Sequence, residues 1–305
     1  MPSAYLGGSG SDPRRASSAC DDDVVSEEDA IGSVETPATV ASLVADLRAL
    51  GLASGMTVMV HSSLRRLGYV SGGAQAVVEA LLDAVGANGT VMMPTHSGDL
   101  SDPASWSNPP VPSTWWDTLR GAMPAYDARL TPTRGMGAIV ECFRHVSGLR
   151  RSAHPAVSAA AVGLNTATLV DGHELACGLG ESSPQARLYD LDGHILLLGV
   201  THANNTSLHL AEYRAAPPEA AMTIYGSPMV IDGRRQWVTY PNLVDDDGDF
   251  EEIGSEFAGT GQQRTGRVGA ADGRLMRARD IVDFAVRWMA THRTWIQRPP
   301  GNDAK

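Results

Sequence analysis

The chain has 305 residues, 43% hydrophobic and 19% charged, a balance that suits a globular protein of one large domain or two small ones. No apolar run approaches the roughly 18 residues of a membrane span, the N-terminus lacks the basic and apolar regions of a secretory signal, and three cysteines (Cys20, Cys142, Cys177) form neither a disulfide framework nor a zinc pattern. A cytoplasmic protein without a membrane partner is expected. The net charge is −11; beyond residue 36 it is −5, from 22 basic and 27 acidic residues, which argues against a nucleic-acid partner and permits a cationic ligand.

Residues 1–36 are rich in Gly, Ser and Ala and then acidic, and are expected to form a mobile tail. Residues 37–298 are expected to form one domain and residues 299–305 to fray. The first helix is expected over residues 37–50, with Thr36 as N-cap, Pro37 at the first helical position and Gly51 as the stop. Residues 57–61, TVMVH, read as a strand, residues 72–85 as an amphipathic helix, and residues 89–94, GTVMMP, as a second buried strand. The long loop 95–116 is rich in Pro, Ser and Trp, the kind of loop that is functional or disordered. His96, Asp99 and Asp102 either line a site there or are ordinary solvated residues; Trp106, Trp115 and Trp116 are expected to pack the loop down.

Residues 135–143 begin an inward-packing helix. Arg150, Arg151 and Ser152 either hold a phosphate or form a solvated basic surface, and His154-Pro155 reads as an extended turn. A strand over 159–163, a short helix over 166–169, a turn over 178–184 and a helix over 184–190 follow. Alternating strands and helices predict an α/β architecture, and the absence of GxGxxG and P-loop patterns removes support for a dinucleotide or NTP site.

The stretch 192–215, DGHILLLGVTHANNTSLHLAEYRA, organises the rest. It reads as a buried strand, a polar loop and a helix capped by Asn205 or Thr206. His209 and Glu212 share one face of that helix, pointing outward. The spacing leaves a surface ion pair, a general base and a metal ligand all open. His202, in the loop before the helix, is a second candidate base. Beyond a hairpin around 229–231 and 236–240, the acidic run 245–256 is either a solvated loop or a contact for a cationic ligand, with Asp245 and Asp247 the leading residues. The last helix, 278–291, reads as structural.

Six segments in order, VMVHSSLRRLG (58–68), NGTVMMP (88–94), RRSAHPAVSAAAVG (150–163), LGESSP (179–184), LLLGVTHANNTSLHLAEYRA (196–215) and RARDIVDFAV (277–286), resemble the aminoglycoside 3-N-acetyltransferase family across nearly all of residues 37–290. The resemblance implies a central mixed sheet flanked by helices, distinct from the small GNAT fold. It implies acetyl-CoA as co-substrate, a cationic aminoglycoside as acceptor, and resistance to the antibiotic as the consequence. It puts the family's His-x-x-Glu pair on His209 and Glu212 as base and orienting carboxylate, without a metal or a covalent enzyme intermediate. Coenzyme A candidates are Ser62, Ser63, Arg66, Arg151, Ser152 and His154; drug candidates are His202, Asn204, Thr206, Asp99, Asp245 and Asp247. Oxyanion stabilisation is expected near Ser62, Ser63 or Thr206. The competing readings are a same-fold acetyltransferase for a different amine and a non-catalytic coenzyme- or sugar-binding relative. Monomer and homodimer both remain open.

Overall fold

The computed structural model describes residues 27–107 and 109–297. In chain order the elements are α1 (Glu27–Gly32), α2 (Val40–Leu50), β1 (Thr57–Ser62), α3 (Gly73–Val85), β2 (Thr90–Pro94), α4 (Trp116–Ala122) and α5 (Gly137–Phe143). Then come β3 (Arg150–Arg151), β4 (Ala159–Gly163), α6 (Thr166–Val170), α7 (Pro184–Asp190), β5 (His194–Leu198) and α8 (Ser207–Ala215). The last are β6 (Met222–Ile231), β7 (Arg234–Leu243), α9 (Phe250–Ala258), β8 (Arg264–Val268), β9 (Ala271–Arg277) and α10 (Ala278–His292).

Seven strands form one mixed sheet in the order β3-β4-β2-β1-β5-β9-β8. The three central strands β2, β1 and β5 run parallel, and the outer strands run antiparallel to their neighbours. Strand alternation explains the continuous apolar runs of the centre. Val58, Val60, Val91, Met93, Leu196 and Leu198 point to one core with α2, α3 and α5. Met59, Met92, Ile195 and Leu197 point to the other, with α7, α8, α9 and α10. Both faces are covered, as a parallel sheet centre requires. The mixed α/β architecture is the one expected.

Several boundaries differ from expectation. The first long helix starts at Val40 and is capped by Thr39, not Thr36, through a capping box with Ser42. Pro37 and Ala38 are outside it because the Ala38 amide donates to the Tyr69 carbonyl and its carbonyl accepts from Ser71. Of the expected tail, residues 1–26 lie outside the described residues, and residues 27–32 form α1. The expected fraying of 299–305 also lies outside them. The hairpin strands are ten residues each, longer than the short runs expected, and turn through Asp232 and Gly233, both at positive φ (49° and 73°). That is the Asp-Gly turn whose twist suits a two-residue hairpin loop. Cys142 is half-buried against the first core.

Candidate functional site

The carboxyl ends of β1, β2 and β5 open side by side, the usual place for a ligand in an open α/β sheet. After β5, Gly199 turns the chain at φ 69°; a Cβ there would come within 2.6 Å of the Arg66 side chain. A 3-10 turn over His202–Asn204 leads to Asn205, which is buried and whose side-chain oxygen accepts from the Ser207 amide at 3.2 Å. Asn205 therefore satisfies the first turn of α8, while the Thr206 side chain makes no cap bond and lines the cavity.

His209 and Glu212 sit one turn apart on α8, but they are not an outward pair. Glu212 is fully buried at 0% exposure. Its Oε2 accepts from His209 Nδ1 at 2.5 Å, and its Oε1 accepts from the Asp246 amide at 2.8 Å and from Arg293. Arg293, just past α10, also donates from Nε to Asp249 at 2.7 Å and from Nη2 to the Asp246 carbonyl at 2.7 Å. Burial of both partners makes this a charge array rather than a screened surface pair. With Nδ1–H given to Glu212, Nε2 is the ring nitrogen left for a substrate. Phe250 packs edge-on against the imidazole at 4.9 Å. Burial alone would lower the His209 pKa; Glu212, through charge and hydrogen bond, and then Asp245 and Asp247, outweigh it and push it up to about 9.

His209 opens on a cavity of about 880 Å³. Its lining includes Asp245 and Asp247, Arg65 and Arg66, and the start of α5, together with Ser62, Ser63, His154, Asn204 and Thr206. The acidic run thus divides. Asp245 reaches the cavity with its Oδ2 3.9 Å from His209 Nδ1, and Asp247 lines it too. Asp249 instead pairs with Arg293, and Glu251 accepts from the Ala203 amide at 3.2 Å.

Other expected site residues are placed elsewhere. His202 is buried away from the cavity: its Nε2 donates to Gln263 Oε1 at 2.8 Å and its ring fills the space left by Gly254, where a Cβ would sit 2.1 Å from the imidazole. Asp99 is outside the cavity, in an exposed ion pair with Arg134, and Asp102 pairs with Arg120 at 2.8 Å. Arg151 is buried in protein: it donates to Thr95 Oγ1 and Ser158 Oγ from Nε and to the Thr95 carbonyl from Nη2. Ser152 accepts from the Ala159 amide and donates to His173 Nδ1 at 2.9 Å. Both therefore build the wall rather than face a ligand. His154 lines the cavity with its nitrogens committed: Nδ1 accepts from the Ala156 and Val157 amides, so Nε2–H donates to the Leu175 carbonyl at 3.2 Å. Trp115 is exposed rather than packed down; Trp106 donates to Ser101 Oγ at 2.9 Å. Arg293 was missed from sequence, since nothing in an Arg-Thr-Trp after the last helix marks a partner for Glu212 81 residues earlier.

Comparison with known proteins agrees with this architecture. A sequence model of the family described as aminoglycoside 3-N-acetyltransferase matches residues 59–290. The chain is 45% identical over 259 residues to the SPbeta prophage-derived aminoglycoside N(3')-acetyltransferase-like protein YokD of Bacillus subtilis (strain 168), covering 85% of this chain and 94% of that protein. The crystal structure of YokD superposes with a TM-score of 0.85, at 43% identity over 87% of this chain and 98% of the other. Aminoglycoside N(3)-acetyltransferase VIII of Streptomyces fradiae is 39% identical over 86% of this chain and 96% of its own length. The structure of AAC-IIIb in binary complex with CoASH matches at TM-score 0.76 and 33% identity, over 87% of this chain and all of that one.

Two outcomes follow from the charge array. Arg293→Met should lower unfolding stability by about 3–5 kcal/mol, because it removes the cation from the buried Glu212 carboxylate; denaturant unfolding measures it. The His209 imidazolium is favoured in the fold, so its contribution is complete below pH 6.5 and is lost as pH rises through about 9. The stability of wild type relative to His209→Asn should therefore shrink across that window in parallel melts.

Proposed function

The chain belongs to the aminoglycoside 3-N-acetyltransferase family, and from that premise we propose that it transfers the acetyl group of acetyl-CoA to the 3-amino group of aminoglycoside antibiotics, with His209 as general base. The observation that carries the reading is His209 Nδ1 held at 2.5 Å by the buried Glu212, beside a cavity lined by both acidic and basic side chains.

The two kinds of charge in the lining suit two substrates. Asp245 and Asp247 attract the ammonium groups of the drug, and Asn204 and Thr206 line the same cavity. Arg65 and Arg66 suit the anionic phosphates of the coenzyme, and Ser62 Oγ is buried there with no hydrogen-bond partner in the protein, a polar atom that a ligand would satisfy. The cavity volume is near the top of the range of about 300–1,000 Å³ for sites that enclose drug-sized ligands.

Glu212 fixes the His209 tautomer, so Nε2 accepts the proton of the drug's amine. Arg293 and the Asp246 amide hold Glu212 in place, so the imidazolium that forms remains paired. Acetyl-CoA supplies a thioester carbonyl that the neutral amine left by proton transfer attacks; the C–N bond forms, the C–S bond breaks, and the coenzyme leaves as a thiolate that takes up the proton shed by the amide nitrogen. Ser62, Ser63 and Thr206, which line the cavity, would donate to the developing oxyanion. The product amide is uncharged, so the drug loses one of the positive charges that hold it to ribosomal RNA, and resistance follows.

The test is thiol release from acetyl-CoA across a panel of aminoglycosides, with a drug lacking a free 3-amine as control. Wild type should turn over the panel but not the control, and His209→Ala should lose about 10²–10⁴ in kcat with the fold intact. Turnover that survives in His209→Ala would remove it as the base, and no turnover by wild type would direct the search to another amine. Because His209 must shed its own proton first, kcat/KM should climb as pH rises toward about 9.

A further inference from the structure

Two imidazole nitrogens in the cavity wall, His61 Nε2 and His96 Nε2, are buried without a hydrogen-bond partner in the protein. His61 lies within β1, level with Leu197 of β5. His96 lies two residues beyond β2, further toward the open strand ends. We propose that His96 Nε2 hydrogen-bonds the acceptor molecule beside the nitrogen that is acetylated, and so selects which amine is presented to His209. This rests on the acetyltransferase reading above.

The backbone puts the ring there and holds it. Thr95 donates to the Ser158 carbonyl and Ser97 to the Ala156 carbonyl, so strand pairing with the β4 segment continues past Pro94. Side chains therefore keep alternating, and His96 falls on the face of Met92, the face covered by α8. The Arg134 amide closes on the His96 carbonyl. Arg151 clamps the residues on either side, donating from Nη2 to the Thr95 carbonyl at 2.6 Å and to Ser97 Oγ at 3.2 Å. A buried guanidinium is thus committed to a three-residue segment whose middle side chain faces the cavity. His96 is only 8% exposed. An unpartnered buried nitrogen costs stability that a phenylalanine of similar shape would not, so packing alone does not account for the imidazole.

Its charge state fits the task. Burial, followed by the nearby His209 and His61, pushes its pKa down to about 3, so the ring is neutral at any working pH. A lysine or arginine in its place would repel a polycation. A carboxylate would hold the reacting amine in its protonated form, against the proton transfer to His209. A neutral imidazole can accept from an amine or donate to a hydroxyl of the drug without either penalty.

The experiment is steady-state kinetics of wild type, His96→Phe and His96→Gln on aminoglycosides that wild type accepts, varying each substrate in turn. The Phe variant should raise the KM for the drug by about 10- to 100-fold, the scale of one hydrogen bond to a charged or tightly held group. The KM for acetyl-CoA should hold, the melting temperature should not fall, and the Gln variant should recover part of the drug KM. His96→Leu carries the same test if the Phe ring does not fit. An unchanged drug KM in the Phe or Leu variant overturns the proposal, as does a loss confined to the acetyl-CoA KM or to kcat, which would place the nitrogen on the thioester. Failure of wild type to acetylate any aminoglycoside is seen before any variant is made; it overturns the parent reading and this one with it.

Discussion

A carboxylate with no exposure to water must be compensated or it will not remain charged. Glu212 is that carboxylate, and its compensation comes from three separate parts of the chain. His209 lies one turn back on α8, the Asp246 amide comes from the acidic segment after the hairpin, and Arg293 comes from the end of α10. Each donor is useful only if its element is in place. The packing of α8 against α10, the path of the 245–249 segment and the orientation of the His209 ring are therefore one requirement. Asp249 extends the requirement by binding the other side of Arg293, which fixes the start of α9 and with it Phe250 against the imidazole.

The same logic sorts the histidines. Burial pushes His61 and His96 down to about 3 and His173 down to about 4, and lowers His154 and His202 as well. His209, at the cavity, moves the other way because three carboxylates face it. One side-chain type thus supplies neutral wall, structural staple and the imidazole paired with Glu212. The difference is made by what lies opposite each ring. His202 illustrates the staple: its two nitrogens meet Gln263 and Asn205, and its ring replaces the side chain that Gly254 lacks.

The sheet contributes direction. Parallel β2, β1 and β5 bring His96, Ser62 and the loop before α8 out at one edge, while the antiparallel outer strands close the sides. Arg151 and Ser152 stiffen the β3–β4 wall from within, and His173 joins that wall to the following loop through the Gly178 carbonyl. Residues expected to touch coenzyme therefore help to hold the edge of the cavity at a fixed distance from α8.

Local chemistry determined much of this in the sequence by itself. Apolar runs of strand length set β1, β2, β4 and β5; helical periodicity set α3 and α10; the i,i+3 spacing put His209 and Glu212 together; and the order of six motifs identified the family. Those features need only neighbouring residues. Tertiary structure decided which polar residues face the cavity. Thr36 and Thr39 are both good caps, and the bridge from Ala38 to Val70 chose between them. Arg151, Ser152 and His202 have the chemistry of ligand contacts but point into protein, because partners 20 to 61 residues away claim their polar atoms. Arg293 has no sequence signal at all, since a charge pair across 81 residues is a property of packing rather than of spacing. Burial, too, exists only in the folded chain. It turned an i,i+3 pair that reads as a surface ion pair into an oriented pair with a buried carboxylate, because a charge without water must take its stability from the groups the fold brings to it.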